Sequence, residues 1–324
     1  MLLLRIINFF IESTMSKIAI FLAAASAMTG AQAGMIDLAS MMGGANLYTA
    51  RDFNGHSSDV EGSIVAGGNV TIQNYAVNLN NQKAYGDYAV VAGGDIKLTG
   101  GSISNGKTYA GGTTSLQQAS QVAGGGTPPL DFAATSQQFK ALANTLSGLS
   151  ATGSVESLWS GAKVTGSGNH TLDIFNVSAD MFRNSSHWML NDLAVGQTLI
   201  FNVSGQIGSF NDGGISFEPL SGYNVLFNFF EATEVNVRGV IGSVLAPNAT
   251  VKADWGVING NVIVDSWNST IQVNSNHYFK PVEVPGINLE PDAPDAPAEV
   301  PEPGTLALLA AGLCAVVGLR CRRA

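Results

Sequence analysis

Val60-Glu61-Gly62-Ser63-Ile64-Val65-Ala66-Gly67-Gly68-Asn69-Val70-Thr71-Ile72-Gln73 is the stretch that decides the fold. Short runs of β-branched and apolar residues stop at a Gly-Gly corner and start again, which is strand punctuation and not helical period. The same rhythm runs from Asn46-Leu47-Tyr48 to about Gly125, with strands expected over Val60 to Ala66, Asn69 to Gln73, Tyr88 to Ala92 and Asp95 to Thr99. The corner tripeptide recurs at Ala66-Gly67-Gly68, Ala92-Gly93-Gly94, Ala110-Gly111-Gly112 and Ala123-Gly124-Gly125, at spacings of 26, 18 and 13 residues. Self-similarity without a fixed period predicts an irregular β-solenoid, β-helix-like, whose coils differ in loop length. Glycine is expected there because it takes positive φ freely and lets coils stack closely. A β-sandwich with glycine turns is the alternative.

Downstream the pattern changes. Asp131 is a candidate N-cap, and Phe132, Phe139, Leu142, Ala143, Leu146 and Leu149 fall on one helical stripe, predicting one amphipathic helix over about 131–149. Its apolar side needs a seat, and the flank of the stacked coils is the natural one. Period two returns in Thr171 to Val177 and Thr198 to Val203, with Phe182, Trp188 and Leu190 on a helical or looped crossover. A second dense block follows: Val225 to Phe230, Val235 to Val240, Ser243 to Leu245, Thr250 to Lys252 and Gly260 to Val264. The two blocks share a rhythm and should stack in one sheet system.

Composition agrees with an exported β protein. Only 12% of residues are charged while 45% are hydrophobic, too apolar for disorder. Between Gly34 and Glu299 acids outnumber bases 22 to 10, which argues against a nucleic-acid partner. Both cysteines, Cys314 and Cys321, lie in the last residues, so the domain itself offers no thiol chemistry.

The two ends carry addresses. Met15-Ser16-Lys17, the apolar Ile18 to Ala25 and Ala31-Gln32-Ala33 read as a secretory signal peptide cleaved between Ala33 and Gly34, which sends the chain by the Sec route. Met1 to Thr14 then form an upstream extension, with Met15 the expected start. At the other end Val300, Pro301, Glu302 and Pro303 precede an apolar run, Leu306 to Leu319, and then Arg320, Arg322 and Arg323. As a helix that run measures about 21 Å, short of a bilayer core of about 30 Å. The order of parts resembles a PEP-CTERM sorting signal. That resemblance implies recognition by exosortase, a membrane transpeptidase-like enzyme of Gram-negative bacteria, with a transient inner-membrane anchor whose arginines stay cytoplasmic. Pro281 to Glu299 alternate proline with acid and are expected to form an extended spacer between the domain, 34–280, and the sorting signal, 300–324.

Ser58-Asp59-Val60-Glu61-Gly62 leading into Ala66-Gly67-Gly68-Asn69-Val70, together with Gly242-Ser243-Val244-Leu245-Ala246-Pro247-Asn248-Ala249 and Asn259-Gly260-Asn261-Val262-Ile263, resemble the choice-of-anchor A family. The resemblance covers about Ala45 to Trp267. It implies an adhesive surface domain, and the matching residues are mostly structural.

No catalytic constellation stands out. His56, His170, His187 and His277 are scattered, and no zinc spacing, nucleophile elbow or phosphate loop occurs. Asp59 and Glu61 are the most suggestive acid pair: two apart on a strand, they share a side and could reach one calcium ion or sugar hydroxyl, or serve as a charged edge. Asp212, in Asn211-Asp212-Gly213-Gly214, is a weaker calcium candidate and equally an ordinary turn. No catalytic residue and no cofactor beyond calcium is expected. Trp159, Trp188, Trp255 and Trp267 could stack on sugars or fill the core. Seven sequons, including Asn176 and Asn202, follow from an Asn- and Thr-rich composition.

The reading is a non-enzymatic surface or matrix protein of adhesion or biofilm. Its expected partners are exosortase and, for binding, exopolysaccharide or surface glycans. A β-helical polysaccharide-active enzyme and an ice-binding-like solenoid are the alternatives. The first needs clustered carboxylates; the second calls for Thr-x-Thr ranks, which the chain lacks.

Overall fold

A computed structural model describes residues 33–116, 119–124, 127–210, 215–236 and 238–287. The expected signal peptide up to Gln32, the calcium candidate Asp212, and the sorting residues Val300, Pro301, Glu302, Pro303, Arg320, Arg322 and Arg323 lie outside the described residues, as does the rest of the expected spacer after Ile287. The described residues are mainly β, 48% strand and 12% helix. Every pairing within the large sheet is parallel, so neighbouring strands are crossover-connected, unlike the antiparallel strands of a sandwich.

Three ladders make up that sheet. The first places Leu172–Ser178, Thr198–Ser204, Asn224–Asn228, the start of Ser243–Val251 and the start of Val262–Ser269 side by side. It continues into Leu47–Thr49, Ile64–Ala66, Tyr88–Ala92 and the end of Ile96–Ala110. The second runs from Ile207–Ser209 and Glu234–Asn236 through the end of Val262–Ser269 to Phe53–His56, the start of Val70–Val77 and Thr114–Leu116. The third joins Val240–Ile241, Val257–Asn259, Gln272–Asn274, Asp59–Val60 and the end of Val70–Val77. Long strands bend from one ladder into the next, closing the sheet around an apolar interior that includes Leu47, Phe53, Val60, Ile64, Val70, Phe201, Phe227 and Trp267.

The chain enters this stack in the middle. Residues after Leu47 build outward in one direction as far as Ala119–Gly124; residues after Leu172 start at the opposite end and return, until Val264 lies beside Thr49, Trp267 beside Phe53 and Val273 beside Val60. The early and late blocks thus meet as neighbours across some 214 residues of chain, where Arg51 also pairs with Asp265. The long helix Phe132–Ser147 makes the return trip. Asp131 caps it, accepting the Ala134 N–H at 3.0 Å, and Phe139, Leu142, Ala143 and Leu146 are buried. Two short helices, Leu38–Met41 and Ala179–Arg183, complete the helical part.

Three local expectations need correction. The expected strand Val60 to Ala66 is two strands, Asp59–Val60 and Ile64–Ala66, separated by a corner at Glu61-Gly62-Ser63, so its ends belong to different ladders. Trp188 and Leu190 lie on a strand, Trp188–Asn191, and only Phe182 is helical. The spacer begins later than Pro281. Val282–Pro285 is a strand, antiparallel to Ala33–Ile36, and Val284 and Ile287 are fully buried. The two prolines that argued against a strand flank it and end it, where no ladder N–H is missed.

Of the two reasons expected for the Gly-Gly corners, close stacking holds and positive φ does not. Gly67, Gly93 and Gly111 stand at successive corners without positive φ. A Cβ on Gly93 would overlap the Gly67 carbonyl oxygen of the coil below, and one on Gly94 would overlap Asn69 Oδ1. Close approach, not left-handed backbone, demands glycine here. That approach lets side chains cap the next coil: Asp52 accepts the Asn69 N–H at 2.7 Å, Asn69 the Asp95 N–H at 2.9 Å, and Asp95 the Thr113 N–H at 2.6 Å. The Thr113 bonds hold the Asp95 carboxyl below its usual range.

Candidate functional site

The outsides of the three ladders differ. The first is covered: Tyr48, Val65, Val91, Ile200, Leu226, Leu245 and Ile263 are fully or nearly fully buried yet stand outside the interior cluster, because the long helix lies over part of this ladder. Tyr48 packs on Phe139 with ring centroids 4.9 Å apart and bonds Ser136 Oγ at 2.8 Å. Asn176, Asn202 and Asn228 are in register on this side. Asn228 Nδ2 donates to the Ala143 carbonyl at 2.9 Å and Asn202 Nδ2 to the Leu146 carbonyl at 2.7 Å, while each also bonds the next asparagine down, at 2.9 and 3.0 Å. This ladder satisfies carbonyls at the C-terminal end of the helix.

Sequence reasoning missed that ladder, though a signal was there. Ile174-Phe175-Asn176, Ile200-Phe201-Asn202 and Leu226-Phe227-Asn228 recur every 26 residues. Their phenylalanines stack inside, at 4.9 and 5.2 Å between centroids, while the asparagines face the helix. Asn202, a sequon residue, is thereby buried.

The second ladder is open. Along it apolar residues point in and polar ones out, in register: Asn268, Asn54, Thr71, Lys97 and Ser115 make one outward column, and His56, Gln73 and Thr99 another. Parallel pairing spaces these side chains about 4.8 Å apart. Glu234 extends the polar surface, its carboxylate held by Lys252 Nζ at 2.9 Å and Asn236 Nδ2 at 2.7 Å. Those bonds keep its carboxyl below the usual range. Hydrogen-bonding side chains at fixed intervals can contact an extended polymer at many points.

The third ladder carries Asp59 and Glu61. They are close enough to interact: burial first, and then the Glu61 charge, push the Asp59 carboxyl up. They are not arranged as two arms of one ligand site. Glu61 Oε2 accepts Ser275 N–H at 2.8 Å and Ser275 Oγ at 3.3 Å, tying the corner to the neighbouring coil. Asp59 Oδ1 is buried without a hydrogen-bond partner. Among the described residues no three His, Cys, Asp or Glu side chains gather where a metal could sit.

The remaining candidates divide. Trp188 and Trp267 are core residues, whereas Trp159, at a hairpin tip, and Trp255, under the Arg238 guanidinium at 4.5 Å, are exposed. The four histidines fall in separate places: His56 on the open ladder, His170 and His277 at left-handed turn positions, His187 against Gly161. A carboxylate absent from the candidate set, Asp173, is fully buried; burial pushes its carboxyl up, but bonds from Ser167, Thr152 and Gln197 outweigh that and hold it below the usual range. Ala33 and Gly34, the expected cleavage residues, sit in the first strand opposite Pro285 and Val284. Among the described residues no helix is long and apolar enough to cross a membrane.

Two family models match the chain. One, described as "Putative Ice-binding-like adhesive domain", matches residues 39–275; the other, the PEP-CTERM protein-sorting motif, matches residues 299–323. No curated protein and no solved structure matches.

Proposed function

We propose, for a chain that belongs to the Ice-binding-like adhesive domain family and ends in a PEP-CTERM protein-sorting motif, a non-enzymatic role at the cell surface or in the extracellular matrix. The protein leaves by the Sec route, is held briefly in the inner membrane of a Gram-negative bacterium and is processed by exosortase. Its domain then contributes to adhesion or biofilm matrix by binding exopolysaccharide or surface glycans. The observation that carries this reading is the pairing of an adhesive-type domain with a C-terminal sorting motif in one chain. The three parallel ladders are read as the sides of an irregular β-solenoid, and their regular register supports that reading.

The open second ladder supports binding over catalysis, since its outward groups, amides, hydroxyls, lysines, His56 and Glu234, are spread along the stack. It also favours a glycan partner over ice: its ranks mix Asn54, Thr71, Lys97 and His56, and charged, long side chains interrupt the flat threonine array that ice recognition calls for. Glu61, bonded to Ser275, is a poor partner for Asp59 in hydrolysis.

The test is intact mass and location in a host with exosortase, for the full chain and for a chain lacking Arg320, Arg322 and Arg323. Loss of the segment after Pro301, with product outside the cell or on its surface, is expected for the full chain alone. Full-length product retained in the inner membrane would overturn the sorting half of the proposal, and turnover of a polysaccharide by the purified protein would overturn the non-enzymatic half.

A further inference from the structure

A cleft opens between the short helix Ala179–Arg183 and the first strand of the second ladder. It encloses about 370 Å³ and is lined by Asp180, Arg183, Ser204, Gln206, Ile207 and Glu231, among others. That is within the range of small-ligand sites. Its polar groups are held in place. Glu231 Oε1 accepts the Gly205 N–H, and Arg183 donates to Asp180 Oδ1 at 2.6 Å across one helical turn. Beside them Ile207 leaves 46% of its surface in water, an apolar side chain at the mouth of a polar cleft. Ile207 is paired with Glu234, which continues in register to Thr250 and Ser266. The cleft therefore opens directly onto the open polar ladder.

Fixed planar polar side chains beside a small apolar wall suit a pyranose ring, whose hydroxyls lie at its edge and whose C–H groups lie on its faces. Charge narrows the choice. Two carboxylates face one guanidinium in the cleft, and the domain carries a surplus of acid, so an anionic sugar is repelled and an ammonium is attracted.

We propose that this cleft is a subsite for one ring of an amino-sugar polysaccharide, whose chain continues over the second ladder. The proposal rests on the adhesive reading above and deepens it. It is tested by calorimetric titration of the purified exported protein with oligomers of glucosamine, glucose and glucuronate. The glucosamine oligomer should bind tightest. Glu231→Gln, which keeps the shape and the Gly205 bond but removes the charge, should weaken it about tenfold, the equivalent of one charge-assisted hydrogen bond. Ile207→Asp should weaken all neutral binding, while Thr99→Ala, at the far end of the ladder, should change affinity little. Glucuronate binding as tightly as glucosamine would overturn the assignment. Glucosamine binding unchanged in both cleft variants would overturn the subsite and leave the adhesive reading standing. No binding of any oligomer would also overturn the subsite, and the location experiment would then judge the adhesive reading separately.

Discussion

The first and second ladders belong to one parallel sheet, yet one is covered on its outside and the other is open. On the first, Asn224–Asn228 reads Asn-Val-Leu-Phe-Asn and all five residues are buried. On the second, Phe53–His56 alternates buried and half-buried positions. A strand with apolar cover on both faces reads as a continuous run, and one with water on one face alternates. The difference assigns labour: the covered ladder holds the domain together, and the open ladder is free to meet a partner.

The sharpest way to break this comparison is one substitution made on each side. Leu245→Asp places an unpaired charge under the long helix and should cost more than about 4 kcal/mol, leaving little folded protein. Thr71→Asp, outward on the second ladder, should stay within about 0.5 kcal/mol in a urea melt. Equal effects would show that the second ladder is also covered.

Gly93→Ala tests what both ladders share, the tight spacing of coils at their common corner. The added methyl meets backbone that cannot swing away, and a loss of about 3 kcal/mol is expected in thermal or urea melts. Asn228→Ala removes the contact that joins the covered ladder to the helix and leaves the Ala143 carbonyl buried without that donor. A loss of about 2 kcal/mol is expected, with faster hydrogen exchange near the end of the helix.

Acidity separates the first and third ladders more gently. Asp173 on the first ladder has a folded pKa below its unfolded one. It therefore adds stability above an ordinary carboxylate pKa of 3.8, and that stability is lost as pH falls through the folded value. Asp59 on the third ladder is raised: its contribution is fully present below 3.8 and is lost as pH rises through the folded value. Asp173→Asn should thus lower stability at neutral pH by about 1–2 kcal/mol. Asp59→Asn should raise it by under about 1 kcal/mol, since water screens part of the effect. Melts at pH 3, 5 and 7 distinguish the two signs.

Much of this was legible in the chain. Alternating apolar residues and Gly-Gly corners announced parallel-stacked strands, and Asp131 with the Phe139, Leu142 and Leu146 stripe announced the helix. Short corners, such as Glu61-Gly62-Ser63, were not legible, because a chain that bends keeps its strand-like composition. Asp59 and Glu61 were read as sharing one side of a strand, but the strand ends at Val60 and Glu61 stands on the corner that follows. Their separation into an orphaned oxygen and a bonded carboxylate depends on Ser275, more than 200 residues away. The cleft at Ile207 and Glu231 gave no local signal at all, since its walls come from three separate segments.

By itself the sequence determined the β-rich character, the capped helix and the C-terminal sorting motif, because these rest on near-neighbour patterns of polarity, backbone preference and charge. Only the tertiary structure decided that the chain starts in the middle of its own stack and that Val282–Pro285 belongs to the domain. It alone decided, too, which ladder faces water. Those outcomes depend on which distant edges find each other, and a parallel strand edge presents the same backbone donors and acceptors whatever its place in the chain.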